Sequence, residues 1–531
     1  MKLRLLPGLL ACLMLAACAG PEVAVPSAPM PSPEPIPSFT PGPVFTDWSK
    51  LEPYESPENR YTRYYAEYTD RLLPVEGGYG SELLPFAGSV LDTGLGWNEY
   101  RYGLAAQDGT VVCDPVYDTV LVPSYYDYEL GDSVELGDFL LMTWTETTGG
   151  DGAVEFRNGA TRFTVAASDG RWVLDADIQS YRPLSDDRLL LLDQSEKLWI
   201  CDGDGRLETS PLEMKLSELW GDSWGYLGGF EDGIGCLPVY DSETGACTGS
   251  WLADARTGYV KFLTEVDACY AWSGEQGYAV AHDYTQDRLG YLSRSGEWII
   301  PPQFLWANSF RGDYAIVGRS GGTAAIIDRA GAVVLESQGG TWTILQMSDG
   351  KVAYWDSSDL GGRWLVHGVY DEDLQPVDHP AVGRYLDALY DVPAEREGDL
   401  WTIYDGGTVW QVTVDARLYG CRDGIATFMD EMGSQGIYDC KTGTWIIPLG
   451  TYSYLNYRET DGAEVYFGSR LTDSGGNALD VLRADGTLLA RGQESVELYG
   501  GLICVVDSLG CAWLDQNGEA VFRWRFPLGN D

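Results

Sequence analysis

Histidine is nearly absent from this chain, with three residues in 531, at His282, His367 and His379. None stands in a phrase that recruits a catalytic imidazole or a zinc ligand set, so neither chemistry has much to build on. Positive charge is scarce as well: 35 Lys and Arg face 80 Asp and Glu, for a formal net charge of −45. A chain this acidic repels nucleic acid and anionic lipid headgroups. The acids are spread along the sequence and not gathered in a block, which reads as a solvated surface. A cationic or divalent-metal partner is the alternative.

An apolar run long enough to cross a bilayer is also missing near the start. Leu5–Ala17 is thirteen residues, short of the roughly twenty that a spanning helix needs. Preceded by Lys2 and Arg4, it reads as a signal peptide over residues 1–17. The run ends in Leu15-Ala16-Ala17-Cys18, which resembles the bacterial lipobox. The resemblance implies export, cleavage before Cys18 and lipidation of Cys18, with attachment to the cell membrane or outer membrane on the extracytoplasmic side. One acyl chain binds only reversibly, so several are needed for a durable anchor. Nine of the twenty-three residues from Pro21 to Pro43 are Pro. Residues 18–47 therefore read as a tether, whose stretch from Pro21 to Pro43, extended at roughly 3.1 Å per residue, reaches up to about 70 Å.

The eleven cysteines contain no C-x-x-C pair and have no His nearby, so no zinc site is expected, nor any other metal or cofactor. Without Cys12 and Cys18, nine remain. They read mostly as small buried hydrophobes, although the compartment permits disulfides. Helical patterning is sparse. Ser56-Pro57-Glu58, followed by Tyr61, Tyr64, Tyr65, Tyr68 and Leu72, predicts a capped helix within an N-terminal cap over 48–90. Arg384–Tyr390 predicts a second, short one.

What the chain has in abundance is Gly (65), Tyr (33) and Trp (19), arranged in a recurring phrase of strand, glycine turn and strand. Its clearest copies run Gly290-Tyr-Leu-Ser-Arg-Ser-Gly296-Glu-Trp-Ile-Ile-Pro301-Pro302 and Gly436-Ile-Tyr-Asp439-Cys-Lys-Thr-Gly443-Thr-Trp-Ile-Ile-Pro448. Others centre on Gly109, Gly331 and Gly518. An Asp side chain caps such a turn, Gly supplies the positive φ, and β-branched or aromatic residues fit the strands on either side. The phrase resembles the WG repeat family, with Leu289 and Gln435 standing where that family often has Trp. The resemblance implies a β-repeat architecture and carries over no catalytic residues.

Turn glycines at 109, 170, 205, 258, 296, 331, 443, 486 and 518, with degenerate units near Asp373 and Gly407, make eleven turns about 41 residues apart, the length of one propeller blade. The expected fold is therefore all-β: a repeat array of antiparallel hairpins over 91–531, β-propeller-like in one or two rings, with a division expected near 340–350. A twisted β-solenoid is the rival.

Two Gly-x-Ser-x-Gly phrases, at Gly221–Gly225 and Gly318–Gly322, lack the strand-to-helix setting of a nucleophile elbow. Asp202-Gly-Asp204-Gly205 and Asp371-Glu-Asp373 lack parts of a calcium loop and read as turns. Trp172, Trp298 and Trp445 share one register two residues after a turn glycine, which predicts burial against a neighbouring unit. Trp97, Trp220, Trp224, Trp306, Trp342, Trp355, Trp364 and Trp401 lie off that register and are the candidate binding-face aromatics. The expected function is a binding or scaffold module for a protein or glycan in the cell envelope. A glycan-active hydrolase or lyase on a propeller is the alternative.

Overall fold

The computed structural model describes Leu72 and residues 75–526, apart from internal segments of which 146–160 and 216–226 are the longest. Residues 1–17, Cys18, the tether, Trp97, Trp220, Trp224, Gly221–Gly225, Gly407 and the helix expected from Ser56, Leu72 excepted, lie outside the described residues. Within them there is no α-helix. The 3-10 turn Leu227–Gly229 is the only helical element, and the rest is antiparallel strand and turn. At Arg384–Tyr390 the expectation of a helix is corrected, because Tyr385–Leu386 is a strand paired with Trp364 and Leu365. Seven residues are too few for a helix to pay its own nucleation cost, and an open sheet edge supplies the backbone partners instead.

The strands form a succession of small meanders. Leu84–Asp92, which crosses residue 90, joins Asn98–Ala105 and Val111–Tyr117 in the first sheet. A seven-stranded sheet over 119–209 follows, and its two halves are joined by the single residue pair Phe163–Ile178. Three- or four-stranded sheets then cover 230–263, 266–304, 306–336, 342–386, 394–413, 417–452, 454–493 and 495–525. Counting the halves separately, the described residues make eleven units, with a small hairpin of Ser124–Asp127 and Asp132–Glu135 inserted in the second.

Some middle strands are buried on both faces. Leu189–Leu192 is a run of four leucines without exposure, and Cys511–Leu514 is buried throughout. Such strands show a continuous apolar run where one-sided burial would give alternation, because a neighbouring sheet covers each face. All nine turn glycines have positive φ, between +70° and +89°. The Asp of the phrase caps its turn as expected. Asp328 Oδ1 accepts the N–H groups of Ala330 and Ala332 at 3.0 and 2.8 Å, and Asp515 Oδ1 those of Asn517 and Glu519 at 2.8 Å each.

A second class of glycine works by its missing side chain. A Cβ on Gly290 would lie 2.6 Å from the Ile300 carbonyl oxygen and 2.8 Å from Pro302 N, and one on Gly436 would lie 2.7 Å from Leu449 Cα. The Pro-bearing fourth strand bulges against these positions, with its register broken between Leu289 and Tyr291. Beside Gly436, Gln435 is buried and accepts the Leu455 N–H at 2.7 Å, so the residue standing in place of Trp ties its sheet to the next.

Trp298 and Trp445 are corrected from mostly buried to half-buried. Each packs on a core shared with the preceding unit, but each sits on the last strand of its sheet, at an edge that covers it only in part. Trp172, also half-buried, donates its indole N–H to the Gly203 carbonyl of the following unit at 3.1 Å.

The first and last sheets pack together. Leu84, Phe86 and Ala87 share one core with Trp513, Phe522 and Trp524, and the Trp524 indole N–H donates to the Gly88 carbonyl at 2.9 Å.

Candidate functional site

Each sheet from 230 onward begins with an edge strand whose outer side has no strand partner among the described residues. Among the described side chains of these leading strands, the large apolar ones left exposed are aromatic. They are Tyr270, Trp306, Tyr419, Tyr454 and Tyr457, between 38% and 50% exposed. The last strands at the opposite edges expose Ile299, Val333, Val334, Val409 and Val521, all aliphatic. Neighbouring leading strands approach one another, with Phe230–Glu231 beside both Ile178–Leu184 and Val266–Ser273, and Tyr454–Thr460 beside Ser495–Tyr499.

Local packing sets the pose of these rings. The Trp306 indole lies over Gly318, where a Cβ would come within 2.2 Å of its nitrogen. Tyr457 packs on Tyr466 with ring centroids 5.3 Å apart, and its hydroxyl donates to Glu459 at 3.4 Å. Burial raises the Tyr457 phenol, and the carboxylates of Glu464 and Glu459 push it further the same way, so it stays protonated and able to donate. Burial likewise raises Tyr270. Arginine stands among the tyrosines, with Arg417 and Arg422 exposed on the same strand as Tyr419, and Arg458 beside Tyr457.

Of the sequence-predicted aromatics, Trp306 and Trp342 fall on leading strands, Trp342 in Trp342–Gln346. Trp355 and Trp364 fall on the second and third strands of the same sheet. Trp401 is a correction. It is 3% exposed, packs on Phe428 and donates its indole N–H to the Ala416 carbonyl at 3.1 Å. It is the second residue of the middle strand Leu400–Asp405, and its side chain lies in the core shared with the following unit, while Leu400 before it is exposed. The leading-strand tyrosines were missed because tyrosine is common throughout the chain; only their place at the start of a unit sets them apart.

The turns carry a separate ionic cluster that binds three units together. Asp232 accepts from Arg256 at 2.6 Å, from Arg294, and from Ser185 Oγ at 2.7 Å, while Arg256 also reaches Asp186 at 3.2 Å. His282 is held between carboxylates, its Nδ1 2.7 Å from Asp267 and its Nε2 3.4 Å from Asp287. Asp202 Oδ1 accepts the N–H groups of Asp204 and Arg206, an ordinary Asp turn. Gly318 and Arg319 end one strand of a hairpin, Ser320 and Gly321 follow in its turn, and Gly322 lies outside the described residues. Among the described residues no group of three or more His, Cys, Asp or Glu side chains is placed to hold a metal ion.

The family model for the WG containing repeat matches residues 290–321. The chain carries a WG repeat. The matched WG segment begins at Gly290, the glycine pressed against the Ile300 carbonyl, and runs through Trp306 to the following hairpin. No curated protein matches the chain. Among solved structures it is similar to a eukaryotic initiation factor, at 10% identity over 84% of this chain and 96% of that one, with a TM-score of 0.33. BamB from Moraxella catarrhalis matches at 10% identity over 67% of this chain and 89% of its own, with a TM-score of 0.21. PorZ, a surface component of the type-IX secretion system of Porphyromonas gingivalis, matches at 11% identity over 82% and 73%, with a TM-score of 0.21. Likeness at this level assigns neither a ligand nor an activity to this chain.

Proposed function

We propose that this chain is an exported lipoprotein, anchored through Cys18 and spaced from the membrane by residues 18–47, that binds a protein or glycan partner in the cell envelope. In this reading the units fan about a common axis as a closed, propeller-like ring, with the leading strands innermost. Packing of the first sheet on the last supports a ring over a solenoid, whose end sheets would lie apart. The approach of leading strands to one another supports their inner position. Eleven units exceed the four to eight blades of a usual propeller, and the single first-to-last closure favours one large ring over two small ones. The observation that carries the binding reading is the set of aromatics exposed on the leading strands, where the last strands expose aliphatic side chains, since Tyr and Trp offer rigid stacking area for sugar rings and protein anchors; Tyr126, Tyr240 and Tyr259 are exposed elsewhere.

Two measurements test it. Detergent phase partitioning of the full chain should place wild type in the detergent phase and Cys18→Ser in the aqueous phase or leave it unprocessed; detergent retention of the variant removes the anchor. A glycan array and an envelope pull-down with the processed protein should yield a ligand whose capture drops at least tenfold in the triple variant Trp306→Ala, Tyr419→Ala, Tyr454→Ala. Undiminished capture by that variant removes the leading-strand site. Turnover of a captured glycan would make the protein an enzyme.

A further inference from the structure

The outer edges of the sheets differ in how they are protected. An edge strand offers unpaired N–H and C=O groups to any extended chain, and proline, charge, a bulge or short length blocks that pairing. From 230 onward nearly every last strand carries such a block. Trp298–Phe304 and Thr444–Tyr452 hold proline and break register against their neighbours. Val260–Leu263, Val333–Glu336, Leu488–Gln493 and Ala520–Arg525 each hold a charged residue, and Tyr385–Leu386 is two residues long.

Thr408–Thr413, reading Thr-Val-Trp-Gln-Val-Thr, has none of these. It runs in unbroken register against Leu400–Asp405, and no strand lies on its outer side among the described residues. Thr408, Val409, Gln411 and Thr413 are exposed.

The ladder fixes which backbone groups face outward. Val414 N–H donates to the Asp399 carbonyl at 2.8 Å, one step beyond the Leu400–Thr413 pair. Hydrogen-bonded pairs recur at every second residue of an antiparallel ladder. Val412, Trp410 and Thr408 therefore turn their N–H and C=O toward Leu400–Asp405, and Val409, Gln411 and Thr413 turn theirs away from it. Side chains alternate with the same period. Trp410 and Val412 pack in the core that holds Phe428, while Val409, Gln411 and Thr413 stand in solvent.

Charge at this edge is one-sided. Near its C-terminal end Arg396 lies 3.7 Å from Asp399 and 3.2 Å from Asp415, whose side chains are 56% and 80% exposed. Glu397 is exposed beside them. Three carboxylates stand with one guanidinium, in a chain of net charge −45. A second copy brings the same net charge and is repelled, whereas a basic segment is drawn in.

We propose that the outer edge of Thr408–Thr413 docks an extended peptide segment of a protein partner by antiparallel strand addition, with a Lys or Arg near the segment's N-terminal end. In that orientation the incoming N-terminal end lies beside Thr413, next to Asp399 and Asp415. Val409, Gln411 and Thr413 exchange main-chain hydrogen bonds with the segment, and their exposed side chains favour β-branched residues opposite them. The site lies at the edge opposite the leading strand of the same sheet and does not rest on the reading given to the leading strands.

The test uses the full chain and a fluorescent peptide of alternating Thr and Val led by two lysines, followed by anisotropy and by hydrogen exchange. The expected result is saturable binding that weakens with salt, with new protection at the amides of Val409, Gln411 and Thr413. Gln411→Pro removes an N–H that the fold leaves unpaired, so its unfolding midpoint should stay near wild type while affinity falls on the order of tenfold or more. Asp399→Asn combined with Asp415→Asn should leave the fold intact and abolish the preference for this peptide over one with its lysines at the C-terminal end. No binding, binding without protection at those three amides, or equal binding by Gln411→Pro overturns the proposal. A wild type that sediments as a dimer beside a monomeric Gln411→Pro overturns it as well, because the edge then belongs to a second copy.

Discussion

The indole N–H of Trp513 donates a hydrogen bond to the carbonyl oxygen of Pro85 at 2.8 Å, across 428 residues of chain. Trp513 is buried, and its ring also meets Tyr499 at 6.2 Å between centroids. The last sheet therefore holds the first, and neither end of the repeat is left bare. In a repeat array the terminal units are otherwise the ones lacking a neighbour on one side.

Trp513→Ala should cost about 3–5 kcal/mol in equilibrium unfolding by urea, the range for truncating a buried aromatic. Trp513→Phe keeps most of the packing but strands the Pro85 carbonyl, and should cost about 1–3 kcal/mol. Hydrogen exchange locates the effect: protection should fall in Leu84–Asp92 as well as around residue 513. Protection lost only near 513 would mean that the two ends are held independently.

The glycine of the WG phrase gives a second prediction. Gly290→Ala places a methyl group 2.6 Å from the Ile300 carbonyl oxygen, against backbone that has no rotamer to yield. Overpacking of this kind costs about 1–3 kcal/mol. Urea unfolding of Gly290→Ala beside wild type measures it, and an unchanged midpoint would mean that the fourth strand can shift its bulge freely.

The hairpin, its Asp cap and its glycine were legible in the sequence because each depends on neighbours a few residues away. Gly296 needs a positive φ and Asp328 needs only its own turn, and both are written locally. Burial of the tryptophans was less legible. Trp401 and Trp306 both stand near the start of a strand, yet one lies on a middle strand and faces a core shared with the next unit and the other lies on the first strand of its sheet. That difference depends on sheet order, which is settled by pairing tens of residues away. The register rule placed Trp298 and Trp445 correctly against a neighbouring unit and overstated their burial, because it carried no information on how far the outer strand overhangs.

The Asp caps impose a pH dependence. Burial alone would raise the Asp283 carboxyl, but hydrogen bonds from Thr285 Oγ1 and Gln286 Nε2, both at 2.6 Å, and from their backbone N–H groups outweigh it and hold the group below its usual 3.8. Asp193, Asp439, Asp485 and Asp515 are depressed in the same way. A carboxyl depressed on folding stabilises the native state above its unfolded pKa, and the contribution is lost as pH falls through the folded value. Stability should therefore drop as pH is lowered from about 4. Asp283→Asn keeps a side-chain acceptor but no charge, so the gap in stability between it and wild type should narrow on acidification from pH 7 to pH 3. Parallel profiles for the two proteins would show that Asp283 does not carry the effect.

The two tryptophans offer the sharpest separation of packing from binding. Trp401 is 3% exposed and sits in one core with Phe428 and Leu418, its indole N–H bonded to the Ala416 carbonyl of the next unit's approach. Trp306 is 43% exposed and touches its own sheet mainly through the face laid on Gly318. Truncating Trp401 to Ala removes contacts that nothing refills and leaves a buried carbonyl without its donor, which should cost about 3–5 kcal/mol. Trp306→Ala loses only half-solvated contact area and should stay within about 1 kcal/mol of wild type. If the leading strands bind the partner, Trp306→Ala weakens capture while its unfolding midpoint stays near that of wild type. Trp401→Ala shows the reverse at temperatures where it remains folded. Equal destabilisation by the two substitutions would place Trp306 among the packing residues and remove it from the binding face.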